Sequence, residues 1–105
     1  MAIVEVMPGI CGFRAVITAQ ADDAWMVEVQ VESNCAKIRN LAAQLSQLSA
    51  LEQVSLPITD TEPYRLAAQC RTHAACPVPS AILKAIEVAA GMALPADVNM
   101  VIRRD

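Results

Sequence analysis

The alternation from Trp25 to Glu32 constrains this chain more than any other feature. Trp25, Val27, Val29 and Val31 fall on one side, and Met26, Glu28, Gln30 and Glu32 on the other. Successive side chains of a strand point to opposite faces, so a period of two with one polar face predicts a half-buried antiparallel strand. A second run precedes it, with Phe13, Ala15, Ile17 and Ala19 set against Arg14, Val16 and Thr18. The polar segment Ala21-Asp22-Asp23-Ala24 between them reads as the turn of a β-hairpin. Ala2 to Val6 extends the first strand, with Met7-Pro8-Gly9 as a break. A sheet with one wet face must cover the other, and the rest of the chain supplies helices for that.

Ser33-Asn34 offers a helix N-cap, and Ile38, Leu41, Ala42, Leu45 and Leu48 follow at helical spacing. This predicts an amphipathic helix from about Cys35 to Leu48. Glu52 to Ile58 has no clear period, and Val54-Ser55-Leu56 fits a short extended piece ended by Pro57. Thr59-Asp60-Thr61 caps a second helix from about Glu62 to Thr72, with Pro63 in its first turn. Cys76-Pro77-Val78-Pro79 breaks that helix, because proline lacks an amide donor and disfavours helical geometry before it. A third helix runs from Pro79 or Ser80 to Ala90, with Gly91 placed to end it. Its polar stripe is only Ser80, Lys84 and Glu87, so it is buried on most sides, against the sheet or in a subunit interface. Finally Val98, Met100 and Ile102 alternate with Asn99, Val101 and Arg103, which predicts a closing strand. The expectation is an α+β fold in the order β-β-α-α-α-β. A small antiparallel or mixed sheet, an N-terminal hairpin plus a C-terminal strand, is covered by three helices in one domain spanning residues 1–105.

Composition narrows the functions. Hydrophobic residues make up 55% and the mean hydropathy is +0.39, which excludes intrinsic disorder. Eight Lys and Arg against eleven Asp and Glu leave a net charge of −3, so no basic face is available to displace phosphate counterions, and no nucleic-acid partner is expected. The only aromatics are Phe13, Trp25 and Tyr64, so the core must be built from Ala, Val, Ile and Leu. Met1 to Ile10 lacks Lys and Arg, unlike the basic start of a signal peptide. The longest apolar stretch, Val88 to Ala96, contains Gly91 and Pro95 and is far short of the roughly 20 residues that span a bilayer. A cytoplasmic protein without a membrane partner is therefore expected. Thiols are kept reduced in that compartment.

The four cysteines, Cys11, Cys35, Cys70 and Cys76, then read as ligands, redox groups or small core residues rather than disulfides. Cys11 lies in the turn Gly9-Ile10-Cys11-Gly12. Cys35 and Cys76 fall at the starts of predicted helices, where unpaired amides carry partial positive charge and should lower a thiol pKa. Cys70, His73 and Cys76 have the spacing C-x2-H-x2-C. The favoured reading is a thiolate site for zinc or an iron–sulfur cluster, built from Cys11, Cys35, Cys70 and Cys76, with His73 as an optional neighbour. One alternative is a sulfur or redox carrier with Cys76 as nucleophile and Cys70 as resolving thiol. Another is a structural module with core cysteines that forms a homo-oligomer through the helix from Ser80 to Ala90. No nucleotide loop, Ser-His-Asp arrangement or convincing carboxylate pair is present, so binding is favoured over catalysis. No redox or sulfur-transfer partner is specified.

Two resemblances bear on these readings. Cys76-Pro77-Val78-Pro79, with the apolar helix, glycine and strand after it, resembles the CPxP motif of small sulfur-carrier proteins. That likeness implies a persulfide role for Cys76 alone. In that family the motif follows the first strand, whereas here it follows two strands and two helices. The whole chain also resembles an uncharacterised four-cysteine family of anaerobic prokaryotes. The residues concerned are Pro8-Gly9-Ile10-Cys11-Gly12-Phe13, Ser33-Asn34-Cys35, Glu62-Pro63-Tyr64, His73 to Pro79 and Ala81 to Gly91. This second likeness implies that the cysteine-bearing segments are family features.

Overall fold

Three long strands begin the chain and dictate where everything else goes. The computed structural model describes residues 1–105, with β1 at Ala2–Val6, β2 at Ala15–Ala21 and β3 at Met26–Ser33. β1 is a strand in its own right and pairs antiparallel with β2, setting Ala2 opposite Ala19 and Val6 opposite Ala15. β2 pairs antiparallel with β3, setting Ala15 opposite Ser33 and Ala21 opposite Val27. The alternation seen in the sequence appears as burial: Ala15, Ile17, Ala19, Val27 and Val29 are buried, while Glu28, Gln30 and Glu32 face water. Trp25 departs from the expected pattern. It sits in the turn with a positive φ of 62° and an exposed ring, so β3 starts at Met26. Asp22 shapes that turn, its Oδ1 accepting from the amides of Ala24 and Met26.

Helices α1 (Ala36–Gln44), α2 (Ala50–Ser55), α3 (Glu62–Gln69) and α4 (Val78–Ala89) complete the α+β fold, with one 3-10 turn at Ile58–Asp60. α4 crosses β1 and β2, α1 covers β3, and α3 packs against both α1 and α4. Ile82, Ala85 and Ile86 of α4 are wholly buried, as are Ile17 of β2 and Leu41 of α1. The core is thus aliphatic, as the scarcity of aromatics requires. α4 ends where Gly91, at φ +75°, reverses the chain. The Gly91 amide donates to the Val88 carbonyl and the Met92 amide to Glu87, a Schellman closure.

Four expectations are corrected. The first helix stops at Gln44, because Leu48 and Ser49 form a short β4 against Val27 and Met26. Strand pairing there overrides the helical spacing of Leu48. Residues 50–55 are helical rather than extended: the Ser49 hydroxyl caps α2 by accepting from the Glu52 amide at 3.2 Å. The second helix ends at Gln69, not Thr72, because Arg71 adopts a left-handed φ of 56° and turns the chain. Most importantly, the C-terminal strand is absent. The sheet order is β1-β2-β3-β4, and residues 93–105 run as irregular chain with no strand beside them. A strand needs a neighbour for its backbone groups, and this one has none.

Candidate functional site

The sheet register places three chain segments at one end of the molecule. Val6, Ala15 and Ser33 lie side by side across β1, β2 and β3. The loop after Val6 carries Cys11, and Cys35 follows Ser33 by two residues. Cys11 occupies a tight turn in which the Gly12 amide donates to the Gly9 carbonyl at 3.0 Å. Both glycines have positive φ, which a side chain at either position would strain. Cys11 is exposed, and residues 7–14 contribute nothing to the core cluster.

Cys35 is the N-cap residue of α1 and is half-buried. The Ser33 hydroxyl accepts from its amide at 3.2 Å, and its carbonyl accepts from Arg39 at 2.9 Å. Cys76 closes a turn on His73, donating its amide to the His73 carbonyl at 3.0 Å, just before Pro77 caps α4. The Cys76 thiol lies near both Cys11 and Cys35. Its pKa is pushed up, first by burial and then by the like charges those two thiolates would carry. A hydrogen bond from the Val78 amide works in the opposite direction. The expectation that the start of α4 would lower this thiol's pKa is therefore corrected, because desolvation outweighs the amide.

Cys70 is placed differently. It is buried at the C-terminal end of α3, and its Sγ accepts from Gln44 Nε2 at 3.5 Å, at the far end of α1 from Cys35. Arg71, with a left-handed φ of 56°, and Thr72 then turn the chain, donating their amides to the Ala68 and Ala67 carbonyls. His73 is exposed and its imidazole makes no hydrogen bond or ion pair. Cys70, His73 and Cys76 do not form a three-residue ligand group. No three Cys, His, Asp or Glu side chains converge on one point as metal ligands do. The structure brings Cys11, Cys35 and Cys76 to one end and leaves Cys70 in the core.

One feature was missed in the sequence. Gln53 of α2 is buried and its Oε1 accepts from the Glu62 amide at 2.8 Å, serving the first turn of α3 from outside the helix. The Thr61 hydroxyl, which the sequence places as the cap, donates instead to the Ile58 carbonyl at 2.7 Å. The unnoticed signal for α2 was Ser49-Ala50-Leu51-Glu52, a capping-box pattern.

The fold and this thiol-bearing end define a small α+β protein with an all-antiparallel sheet and helices packed on its apolar face. The chain belongs to a family of unknown function, DUF6951, which it matches over residues 2–102, a span that holds all four cysteines and His73. No curated protein and no solved structure matches it. No helix is long and apolar enough to cross a membrane.

Proposed function

We propose that this protein binds a thiophilic metal ion or an iron–sulfur cluster through the thiolates of Cys11, Cys35 and Cys76. One observation carries the reading. Cysteine used as core filler is buried, yet these three are exposed or half-buried and come from three separate segments at one end of the sheet. The like charges at Cys11 and Cys35 add to burial in opposing ionisation of Cys76, and a bound cation relieves that opposition. Zinc and iron–sulfur clusters both accept such donors. Cys11 sits on a surface turn outside the core, so drawing it towards Cys35 and Cys76 disturbs little packing. Cys70 and His73 complete the candidate set only if the turn at Arg71 reorganises.

A second reading, a sulfur or redox carrier centred on Cys76, is favoured by the Val78 amide directed at its sulfur and by the CPxP likeness. In that case Cys11 or Cys35, rather than the buried Cys70, is the companion thiol. Anaerobic purification separates the two. Iron with acid-labile sulfide, or about one zinc per chain by the usual tetrahedral stoichiometry, supports the metal reading. Metal-free protein with a persulfide mass on Cys76 supports the carrier.

A further inference from the structure

The sheet has two unlike edges. At one, β4 is two residues long and leads directly into α2. At the other, β1 offers five residues with no strand beyond them. An open edge presents unpaired amides and carbonyls to any extended chain. The same molecule carries an extended chain without a partner. Residues 93–105 make no backbone hydrogen bond, and Val98, Met100 and Ile102 are 62%, 72% and 89% exposed. Both segments border one cleft of about 980 Å³, whose third wall is the polar stripe Ser80, Lys84 and Glu87 of α4. The family match takes in both, from Ala2 to Ile102.

Chain direction decides how they can meet. Cys76 lies beside Cys11, so α4 starts at the Val6 end of β1 and runs back along it. Gly91 reverses the chain, so a tail returning along this cleft runs the same way as β1. On its own β1 the tail would add a parallel strand to a wholly antiparallel sheet, and although it borders that strand it makes no backbone hydrogen bond to it. Across a two-fold axis perpendicular to β1 the same tail arrives antiparallel.

We infer that residues 98–102 of one copy add to the β1 edge of a second copy, reciprocally, forming a dimer. Val98, Met100 and Ile102 then continue the apolar row of Ala2, Val4 and Val6, and the tail's backbone groups gain partners. The interface is the strand edge and tail rather than the apolar face of α4, because Ile82, Ala85 and Ile86 are already occupied by the chain's own sheet. The test is light scattering on the full chain from low micromolar to submillimolar concentration, with amide exchange at β1. The expected mass is twice 11.2 kDa, with slow exchange at Ala2–Val6. Met100→Pro removes an amide donor from a residue outside the core, so the fold should persist by circular dichroism while the mass falls to 11.2 kDa. β1 exchange then becomes fast. Deletion of residues 98–105 should give the same result. Wild-type protein of 11.2 kDa throughout, including one that protects β1 with its own tail, would overturn the inference, as would a dimer that survives Met100→Pro.

Discussion

The layer between α4 and the sheet and the thiol-bearing end of that sheet are built on opposite terms. In the first, Ile17, Ile82, Ala85 and Ile86 are wholly buried, and small and branched side chains fill the space with no polar group to satisfy. In the second, Cys11, Cys35 and Cys76 stand at or near the surface. Cys70 is the control that nature supplies: in the same chain, it packs as an ordinary buried side chain against Gln44. The difference teaches that the four thiols are placed in graded fashion: Cys70 is inside the core, Cys35 and Cys76 pack against its margin, and Cys11 stands outside it.

The comparison breaks first at the layer. Ile86→Ala leaves a cavity in the core and should cost about 3 kcal/mol of stability by chemical denaturation, within the usual range for such truncations. Alkylation of Cys11 should be unaffected in the folded protein. Next, Cys70→Ala should cost about 1 kcal/mol, because it empties a buried site and releases Gln44, whereas Cys11→Ser should change stability by less than about 0.5 kcal/mol. Equal costs for the two would erase the distinction between packed and unpacked thiols.

A smaller, pH-dependent effect sharpens it. Burial and the like charges of Cys11 and Cys35 hold the Cys76 thiol above the ordinary range. The folded state therefore keeps this proton to higher pH than the unfolded chain does. The corresponding stability is intact below the ordinary thiol pKa and is lost as the pH rises through the raised value. Cys76→Ala should remove that alkaline decline in a pH series of denaturation curves. The double change Cys11→Ser and Cys35→Ser should shift alkylation of Cys76 to lower pH, though not fully to that of a free thiol, since burial, the largest cause, remains.

How much of this was legible in the sequence follows the range of the forces involved. The alternation of β2 and β3 and the apolar surface of α4 survive into the structure because each is satisfied by one large neighbour, and Gly91 ends α4 where a left-handed residue is needed. Leu48 was misread because its spacing fits a helix, while its pairing with Val27 is a long-range event. The closing strand was misread for the converse reason: Val98 to Arg103 has a strand's pattern but no neighbour within the chain. Among the thiols, spacing groups Cys70 with Cys76, yet Cys70 is buried in the core and Cys76 is only half-buried. Only the sheet register joins Cys11 to Cys35 across 24 positions of sequence, which no local pattern encodes.

The central claim is that Cys11, Cys35 and Cys76 act as one set and Cys70 does not. Anaerobic cadmium titration, followed by the ultraviolet thiolate-to-metal absorption, tests it most directly. The account predicts a saturable band in the wild type that Cys70→Ala retains and that each of Cys11→Ser, Cys35→Ser and Cys76→Ser weakens or abolishes. No band in the wild type, or a band lost in Cys70→Ala and kept in the other three, would contradict it.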